Sequence, residues 1–279
     1  MSYKTILVHL DTCRRTSLRL ELALQIATAH EAHLIGLFAP FQPDIESLRA
    51  MANIQGYWEE IKQQRRAQRM ALEQQFHAGI ARNALSGEWR ATEDYPGRAA
   101  VLHARHADLV IGGQYDTQDP DSFVAENFCE NLVLSSGRPT LFVPYTGLFP
   151  TVGSSIMIAW DGSREATRAI HDALPMLRRA TRVTLVTANG LNREDADTRI
   201  PGTDIATVIA RHGVKVQVSD IEGVARQQLG DMLLSRAVDL DADLIVMGAF
   251  AHARWQQLVV GGVTRTFLKS MTIPVLMSH

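Results

Sequence analysis

An internal repeat constrains the fold of this chain more than any other feature of its sequence. The segment ILVHLD at residues 6–11 resembles IMIAWD at residues 156–161, and ADLVI at residues 107–111 resembles ADLIV at residues 242–246. Each segment combines a short, branched apolar run with an aspartate. The two segments occur in the same order in both halves, which indicates a tandem duplication.

The spacing of glycine and proline supports the duplication. Gly113 precedes Pro139 by 26 positions (139 − 113), and Gly248 precedes Pro274 by the same 26 positions (274 − 248). This part of the two halves therefore aligns without gaps, at a constant offset of 135 residues (248 − 113).

Short apolar runs alternate with helical patterns in both halves, which is typical of a parallel sheet with crossover helices. Because such crossovers are right-handed, helices cover both faces, and we predict an α/β fold with two tandem doubly wound five-stranded parallel-sheet domains. The predicted strands are residues 4–10, 33–38, 88–92, 109–111, 140–143, 156–160, 182–187, 214–219, 244–247 and 273–277. The predicted helices of the first half are one that places Leu18, Leu22 and Ile26 on one face, one or two amphipathic helices within residues 45–82, and helices over 98–106 and 123–135.

The chain length fits two domains. The 279 residues allow roughly 140 per domain, and 46% hydrophobic with 21% charged residues predicts packed cores without a disordered tract. Residues 144–154 contain two prolines and two glycines, which favours a linker. We therefore predict one domain over residues 1–146 and a second over residues 154–279.

Charge and composition exclude several classes of partner. A formal net charge of −2 provides no basic field, so we expect no nucleic acid and no membrane as partners. The sequence starts without a signal-peptide pattern and contains no apolar run near the roughly 20 residues of a membrane span, so we expect a cytoplasmic protein. Cys13 and Cys129 are the two cysteines, too few for a disulfide framework.

Residues 243–279 predict a binding site. An apolar run predicts a buried strand that ends at Gly248, and ligands of open parallel sheets bind at the carboxyl ends of strands. The next loop ends in Gly261 and Gly262, after which a helical pattern begins. Exposed backbone N–H groups and the positive end of the helix dipole favour an anion such as phosphate at that helix start.

Two segments carry a resemblance to a known family. IMIAWDGS at residues 156–163 and MGAFAHARWQQLVVGGVTRTFLKSMTIPVLMSH at residues 247–279 resemble the universal stress protein family in its tandem two-domain form. The resemblance extends over essentially the whole chain. It implies an adenine-nucleotide alpha-hydrolase-like, Rossmann-like fold and a stress-response regulatory or protective protein. It further implies that the C-terminal domain binds ATP or another adenine nucleotide, with Mg²⁺ or Mn²⁺ only alongside the nucleotide.

The resemblance also implies a phosphate motif. Nucleotide-binding members of the family carry the pattern Gly-x2-Gly-x9-Gly-Ser/Thr, and the corresponding residues here are Gly248, Ala251, Gly261 and Gly262. Ala251 adds a methyl group and disfavours positive φ where the family has glycine. Gly262 lacks the hydroxyl of the family's serine or threonine but keeps its backbone N–H, and Thr264 offers a hydroxyl two residues later.

The remaining site residues follow from the same resemblance. It implies that Asp161 contacts the ribose or the base, that Ala159, Trp160 and Thr187 lie near the base, and that Met247 and Val263 line the site. His252 and Arg254 are further candidates because they lie in the loop toward which the phosphates would project, although charged loop residues are most often simply solvated. The predicted nucleotide-binding residues are Ala159, Trp160, Asp161, Thr187, Met247, Gly248, Ala251, His252, Arg254, Gly261, Gly262, Val263 and Thr264. We predict no catalytic residue and no metal ligand of the protein's own.

The first half departs from this motif. With the offset of 135, the four motif positions correspond to Gly113, Asp116, Glu126 and Asn127. Two carboxylates then occupy positions that face phosphate, where like charges repel. We predict that the first domain binds no nucleotide.

Ordinary structural roles compete with these functional interpretations. The glycines of a loop are common turn residues, Asp161 has the position of a helix cap, and tryptophans most often serve as packing residues. The histidine pairs His30/His33 and His103/His106 lack further ligands for a metal. At the level of the whole chain, the alternative is a nucleotide-free interaction scaffold in which both sites have decayed, and Ala251 favours it.

Motifs that the sequence lacks also bear on its function. The sequence has no Gly-x4-Gly-Lys-Ser/Thr loop, no Gly-x-Gly-x-x-Gly turn and no Gly-x-Ser-x-Gly elbow. A dedicated kinase, dehydrogenase or hydrolase is therefore unsupported. We expect at most slow ATP hydrolysis, and an enzyme of another nucleotide-binding α/β family would need a catalytic loop that we do not find.

The two last strands of the halves predict an assembly. Residues 140–143 and 273–277 are short and rich in branched apolar residues, and an exposed apolar sheet edge invites strand pairing. We predict that these strands pair, so that the halves form an intramolecular pseudo-dimer about a pseudo-twofold axis. No sequence feature argues for or against a further homodimer.

Overall fold

The computed structural model describes residues 2–41, 55–125, 127–189, 202–222, 228–250 and 262–279. The chain folds into two compact units, Tyr3–Leu132 and Val133–His279. Among the described residues, no helix is long and apolar enough to cross a membrane.

The first unit is a parallel sheet with crossover helices. Its strands lie in the order β3-β2-β1-β4, and each neighbouring pair is parallel. The elements in chain order are β1 (Thr5–Leu10), α1 (Thr16–His30), β2 (His33–Phe38), α2 (Gln55–Arg82), β3 (Gly87–Ala91), α3 (Pro96–Ala104), β4 (Leu109–Gly113) and a short 3-10 helix (Pro120–Ser122). The chain passes into the second unit within α4 (Phe128–Ser136).

The second unit repeats this architecture with one additional strand, β5, beside β10. Its strands lie in the order β5-β10-β9-β6-β7-β8, parallel except that β5 runs antiparallel to β10. The elements are β5 (Thr140–Val143), β6 (Ser155–Trp160), α5 (Arg164–Leu177), β7 (Arg182–Asn189), α6 (Gly202–Arg211), β8 (Val216–Glu222), α7 (Leu229–Asp239), β9 (Leu244–Gly248), α8 (Val263–Ser270) and β10 (Val275–Ser278).

The central strands form the cores. β1, β4 and β9 are buried nearly throughout, as expected for parallel strands covered on both faces. A repeated aspartate fixes where the first strand of each half starts. Asp108 accepts hydrogen bonds from the backbone N–H groups of Lys4 and Thr5, and its counterpart Asp243 accepts from those of Ser154 and Ser155. The duplication in the sequence is therefore matched by the same anchoring contact in both units.

All ten predicted strands are present, with ends that differ from the prediction by at most three residues. The start of the helix predicted over residues 123–135 is wrong, because α4 starts only at Phe128. The Asp119 side chain accepts from the Asp121 N–H and caps the 3-10 helix that begins at Pro120, so the preceding chain forms a separate turn. The helix predicted over residues 98–106 lies two residues earlier, because Pro96 fits the first helical turn.

The predicted pairing of the two terminal strands is confirmed. Val275 pairs with Phe142 and Leu276 with Leu141 in the antiparallel β5–β10 ladder, and all four side chains are fully buried. This ladder lies within the second compact unit. The domain boundaries predicted from the linker and the pseudo-twofold arrangement of the halves stay predictions.

Candidate functional site

The carboxyl ends of β6, β7 and β9 bring together four of the residues predicted for the second unit. Ala159 pairs with Met247 across β6 and β9, and Trp160 pairs with Thr187 across β6 and β7. Residues paired in a parallel sheet share a face, so these residues form two adjacent rows, one on each face of the sheet. Trp160 and Thr187 are each 6% exposed, and Met247 is 4% exposed.

Four of the predicted residues, Ala251, His252, Arg254 and Gly261, lie outside the described residues. The others that belong to the glycine motif and its helix are Gly248, Gly262, Val263 and Thr264. The predicted nucleotide contacts of all of these residues stay predictions.

Asp161 follows β6 and remains open to solvent. Its Oδ1 accepts the backbone N–H of Ser163 at 3.0 Å, and Ser163 Oγ in turn accepts the N–H of Ala166 at 3.1 Å. The helix cap of α5 is therefore Ser163, while Asp161 stabilises the turn before it. Asp161 is exposed, and its Oδ2 has no hydrogen bond within the described part of the chain.

Gly248 ends β9 directly against the start of α5. A Cβ atom at this position would lie 2.4 Å from the backbone nitrogen of Ala166 and 2.6 Å from the carbonyl carbon of Glu165. Both neighbours are backbone atoms that cannot rotate away. The close approach of strand and helix therefore requires glycine here, independently of any ligand.

Gly262 is the N-cap of α8 and has no comparable steric demand. Its φ of −69° and ψ of 162° are accessible to any residue, and a Cβ atom would meet nothing within 4 Å among the described atoms. Within the part of the chain that the structure describes, no side chain caps this helix start. The first N–H groups of α8 are consequently available to an anion, with the helix dipole favouring negative charge.

Thr264 already has one contact. Its Oγ1 accepts the backbone N–H of Phe250 at 3.1 Å, and Phe250 adopts a positive φ of 56°. Thr264 is 7% exposed, and its hydroxyl holds the chain that leaves β9 against the start of α8.

In the first unit, side chains of the protein itself occupy the space at the carboxyl ends of β1 and β4 that corresponds to this site. Asp11, which matches Asp161 in the repeat, is only 4% exposed and binds Arg19 through Oδ1 and Nη2 at 2.8 Å. Arg19 also donates from Nε to the carbonyl oxygen of His9 at 2.8 Å. A Cβ atom at Gly113 would lie 1.8 Å from Arg19 Nη1, so the guanidinium occupies the space beside β4.

Burial and this ion pair set the protonation states of the cluster. Burial lowers the pKa of His9 to about 4, although Asp11 opposes the shift, so the imidazole is neutral at pH 7. Burial is the largest influence and would raise the pKa of Asp11, but the Arg19 guanidinium, together with His9 and the hydrogen bonds from Cys13, holds that pKa below its ordinary value. Burial raises the pKa of both thiols, Cys13 and Cys129, to about 12, so neither is a thiolate nucleophile at neutral pH.

One of the two carboxylates that align with phosphate-facing positions in the first unit, Asp116, forms an ion pair with an arginine. Asp116 is 6% exposed, and its Oδ2 lies 3.1 Å from Nη2 of Arg14. Arg14 also contacts Asp119 through both its backbone N–H and its Nε. Glu126 lies outside the described residues, and Asn127, which matches Gly262, has a positive φ of 53°. Because Arg14 compensates the charge of Asp116, the prediction that the first unit binds no nucleotide rests mainly on the Arg19 guanidinium, which fills the space beside β4.

Sequence reasoning missed the role of Arg19. The available signal was its position on the apolar face of α1, in register with Leu22, Ala23 and Ile26, where an arginine is buried only with a partner. The counterpart of Arg19 at the repeat offset of 150 (161 − 11) is Ala169, which is fully buried and carries no charge. The guanidinium that fills the space beside β4 therefore has no counterpart at Ala169.

Known proteins resemble the chain in sequence and in fold. The model of the universal stress protein family matches residues 154–279. A universal stress protein from Synechocystis is 28% identical over 148 residues, which are 53% of this chain and 49% of that protein. The chain thus spans about half the length of this curated relative.

Solved structures extend the fold likeness to the whole chain. A universal stress protein from Archaeoglobus fulgidus superposes with a TM-score of 0.71 over 98% of this chain and 95% of its own, at 14% identity. A protein from Pseudomonas aeruginosa described as a universal stress protein superposes with a TM-score of 0.59 over 99% of this chain and 93% of its own, at 18% identity. At these identities the likeness shows the fold alone.

Proposed function

Because residues 154–279 belong to the universal stress protein family, we propose that this chain is a stress-response regulatory or protective protein that binds an adenine nucleotide through its second unit. The site lies at the carboxyl ends of β6, β7 and β9, where open parallel sheets bind ligands. The observation that carries the proposal is the contrast between Asp161, which is open to solvent, and Asp11, which is buried in an ion pair.

Asp161 is the proposed contact to the ribose. One of its oxygens holds the turn at Ser163, which fixes the direction of the carboxylate. The other oxygen is available to accept hydrogen bonds from ribose hydroxyls, which are donors of the right kind. Trp160 and Thr187, in the row beside it, support a proposed base position at the end of the neighbouring strand.

The start of α8 is the proposed phosphate position. Gly262 leaves the first backbone N–H groups of the helix uncovered, and these donors together with the helix dipole favour phosphate oxygens. We expect ATP or another adenine nucleotide to bring Mg²⁺ or Mn²⁺ with it, because this cation binds mainly through phosphate oxygens and water. We propose a cytoplasmic location and no dedicated catalytic activity beyond slow ATP hydrolysis.

Native mass spectrometry of the purified full chain tests the proposal. We expect a mass increment of one adenine nucleotide per chain after incubation with ATP and Mg²⁺. The same increment should be lost in Asp161→Ala and kept in Asp172→Ala, which removes a carboxylate from the middle of α5. A chain that binds no nucleotide under these conditions would support the alternative, a nucleotide-free interaction scaffold with two decayed sites.

A further inference from the structure

The carboxyl ends of β7 and β8 hold a hydrogen-bonded pair that the sequence did not reveal. Thr187 Oγ1 donates a hydrogen bond to Asp220 Oδ1. Thr187 is 6% exposed, whereas Asp220 is exposed at the end of the edge strand β8. A buried hydroxyl therefore fixes the direction of an exposed carboxylate.

The pair continues the row of residues at the proposed nucleotide site. Trp160 pairs with Thr187, and Thr187 pairs with Asp220, so the three side chains lie side by side on one face of the sheet. Within the described residues, the buried indole Nε1 of Trp160 has no hydrogen-bond partner. Thr187 lies between this unsatisfied buried donor and the fixed carboxylate, and both groups indicate polar ligand groups along the row.

We propose that Asp220 is a specificity-determining residue that selects a nucleobase with an exocyclic amino group over one with a keto group. This inference rests on the proposed nucleotide function. Asp220 Oδ1 is used by Thr187, and Oδ2 receives no hydrogen bond from the part of the chain that the structure describes. An ionised carboxylate accepts but cannot donate, so it attracts the amino group of adenine and repels a keto oxygen at the same ring position.

The magnitude of the selectivity follows from the chemistry of the mismatch. A keto base would place two acceptors against each other and leave the Asp220 carboxylate without its donor. Sites built around such a polar contact discriminate strongly against a ligand that lacks the matching group. We expect partial discrimination, at least tenfold, because Asp220 is exposed and water can still solvate its carboxylate.

Titration with ATP and with ITP tests this inference, because ITP has a keto group at carbon 6 of the purine in place of the amino group of ATP, together with a proton on the neighbouring N1. The wild-type chain should bind Mg-ATP at least tenfold more tightly than Mg-ITP in calorimetric titrations. Asp220→Asn should bring the ratio close to one, because the amide can donate to the keto oxygen. Thr187→Val, which removes the hydroxyl at constant size, should reduce the ratio in part.

Asp239→Asn is the matched control, since it makes the same charge change at an exposed position at the end of α7. This variant should keep the wild-type ratio. An unchanged ratio in Asp220→Asn, or equal wild-type affinities for ATP and ITP, would overturn the inference while leaving the proposed function intact. Failure of the wild-type chain to bind either nucleotide would overturn both.

Discussion

Gly248 and Gly262 belong to one sequence motif but have opposite surroundings. A side chain at Gly248 would collide with the backbone of α5 at 2.4 Å, whereas one at Gly262 would meet no described atom within 4 Å. Gly248→Ala should therefore lower the free energy of unfolding by about 2 kcal/mol or more, as expected for overpacking against atoms that cannot move. Urea denaturation of the nucleotide-free chain measures this loss.

Gly262→Ala is the control for that measurement. Its backbone angles suit alanine, so its stability should stay within about 0.5 kcal/mol of the wild-type value. Equal stabilities of Gly248→Ala and Gly262→Ala would contradict the steric role assigned to Gly248.

His9 makes the stability of the first unit depend on pH. Its folded pKa of about 4 lies below the ordinary value of 6.5, so the unfolded chain takes up the proton first as pH falls. Stability should decrease from pH 6.5 toward pH 4 by about 3 kcal/mol in total. The contribution of Asp11, whose pKa is also lowered, persists in this window and is lost only below the ordinary range of a carboxyl group.

Denaturation curves at several pH values test this expectation. His9→Gln keeps a donor for the carbonyl oxygen of Ala39 but has no titrating group, so its stability should vary less between pH 6.5 and pH 4. A curve for His9→Gln that parallels the wild type would show that other groups cause the pH dependence.

Single residues also show where sequence reasoning reaches its limit. The resemblance of residues 156–163 points to Asp161, which the structure places directly after β6, and its contact with a nucleotide stays a prediction. The sequence does not reveal that Arg19 fills the space beside Gly113 or that the contact with α5 requires glycine at position 248. Each of these roles depends on contacts between residues far apart in sequence. Gly248, for example, meets Ala166, which lies 82 positions earlier (248 − 166).

At the scale of elements, strand positions could be predicted better than helix starts. Strands such as β9 are continuous apolar runs, because burial on both faces of the sheet restricts them to apolar residues. The start of α4 was misplaced by five residues (128 − 123), because Asp119 and Pro120 form a separate capped turn before it. The start of α8 after its glycine pair was predicted correctly.

Substitutions of Gly262 at the start of α8 should separate an effect on stability from an effect on nucleotide binding. Gly262→Asp places a good N-cap residue at an uncapped helix, so stability should be unchanged or slightly higher. The same carboxylate repels phosphate, so Mg-ATP affinity should fall at least tenfold. Gly262→Asn has the same shape without the charge and should lose much less affinity in parallel titrations. Equal affinities of the two variants would place the phosphates elsewhere.

At the scale of the whole molecule, the β5–β10 ladder joins two segments that are far apart in sequence. Phe142 and Val275 are paired and fully buried. Each alanine substitution should destabilise the protein, Phe142→Ala by about 3–5 kcal/mol. A double-mutant cycle should show a coupling energy of about 0.5–1 kcal/mol. Additive effects within about 0.3 kcal/mol would contradict direct packing of this pair.

The duplication allows one measurement to test the central claim that only the second unit binds a nucleotide. Calorimetric titration of the full chain with Mg-ATP should give one site per chain. That site should be lost in Gly262→Asp and kept in Asn127→Asp, which makes a matched change at the corresponding position of the first unit. Two sites per chain, or a single site that survives Gly262→Asp and is lost in Asn127→Asp, would contradict the account.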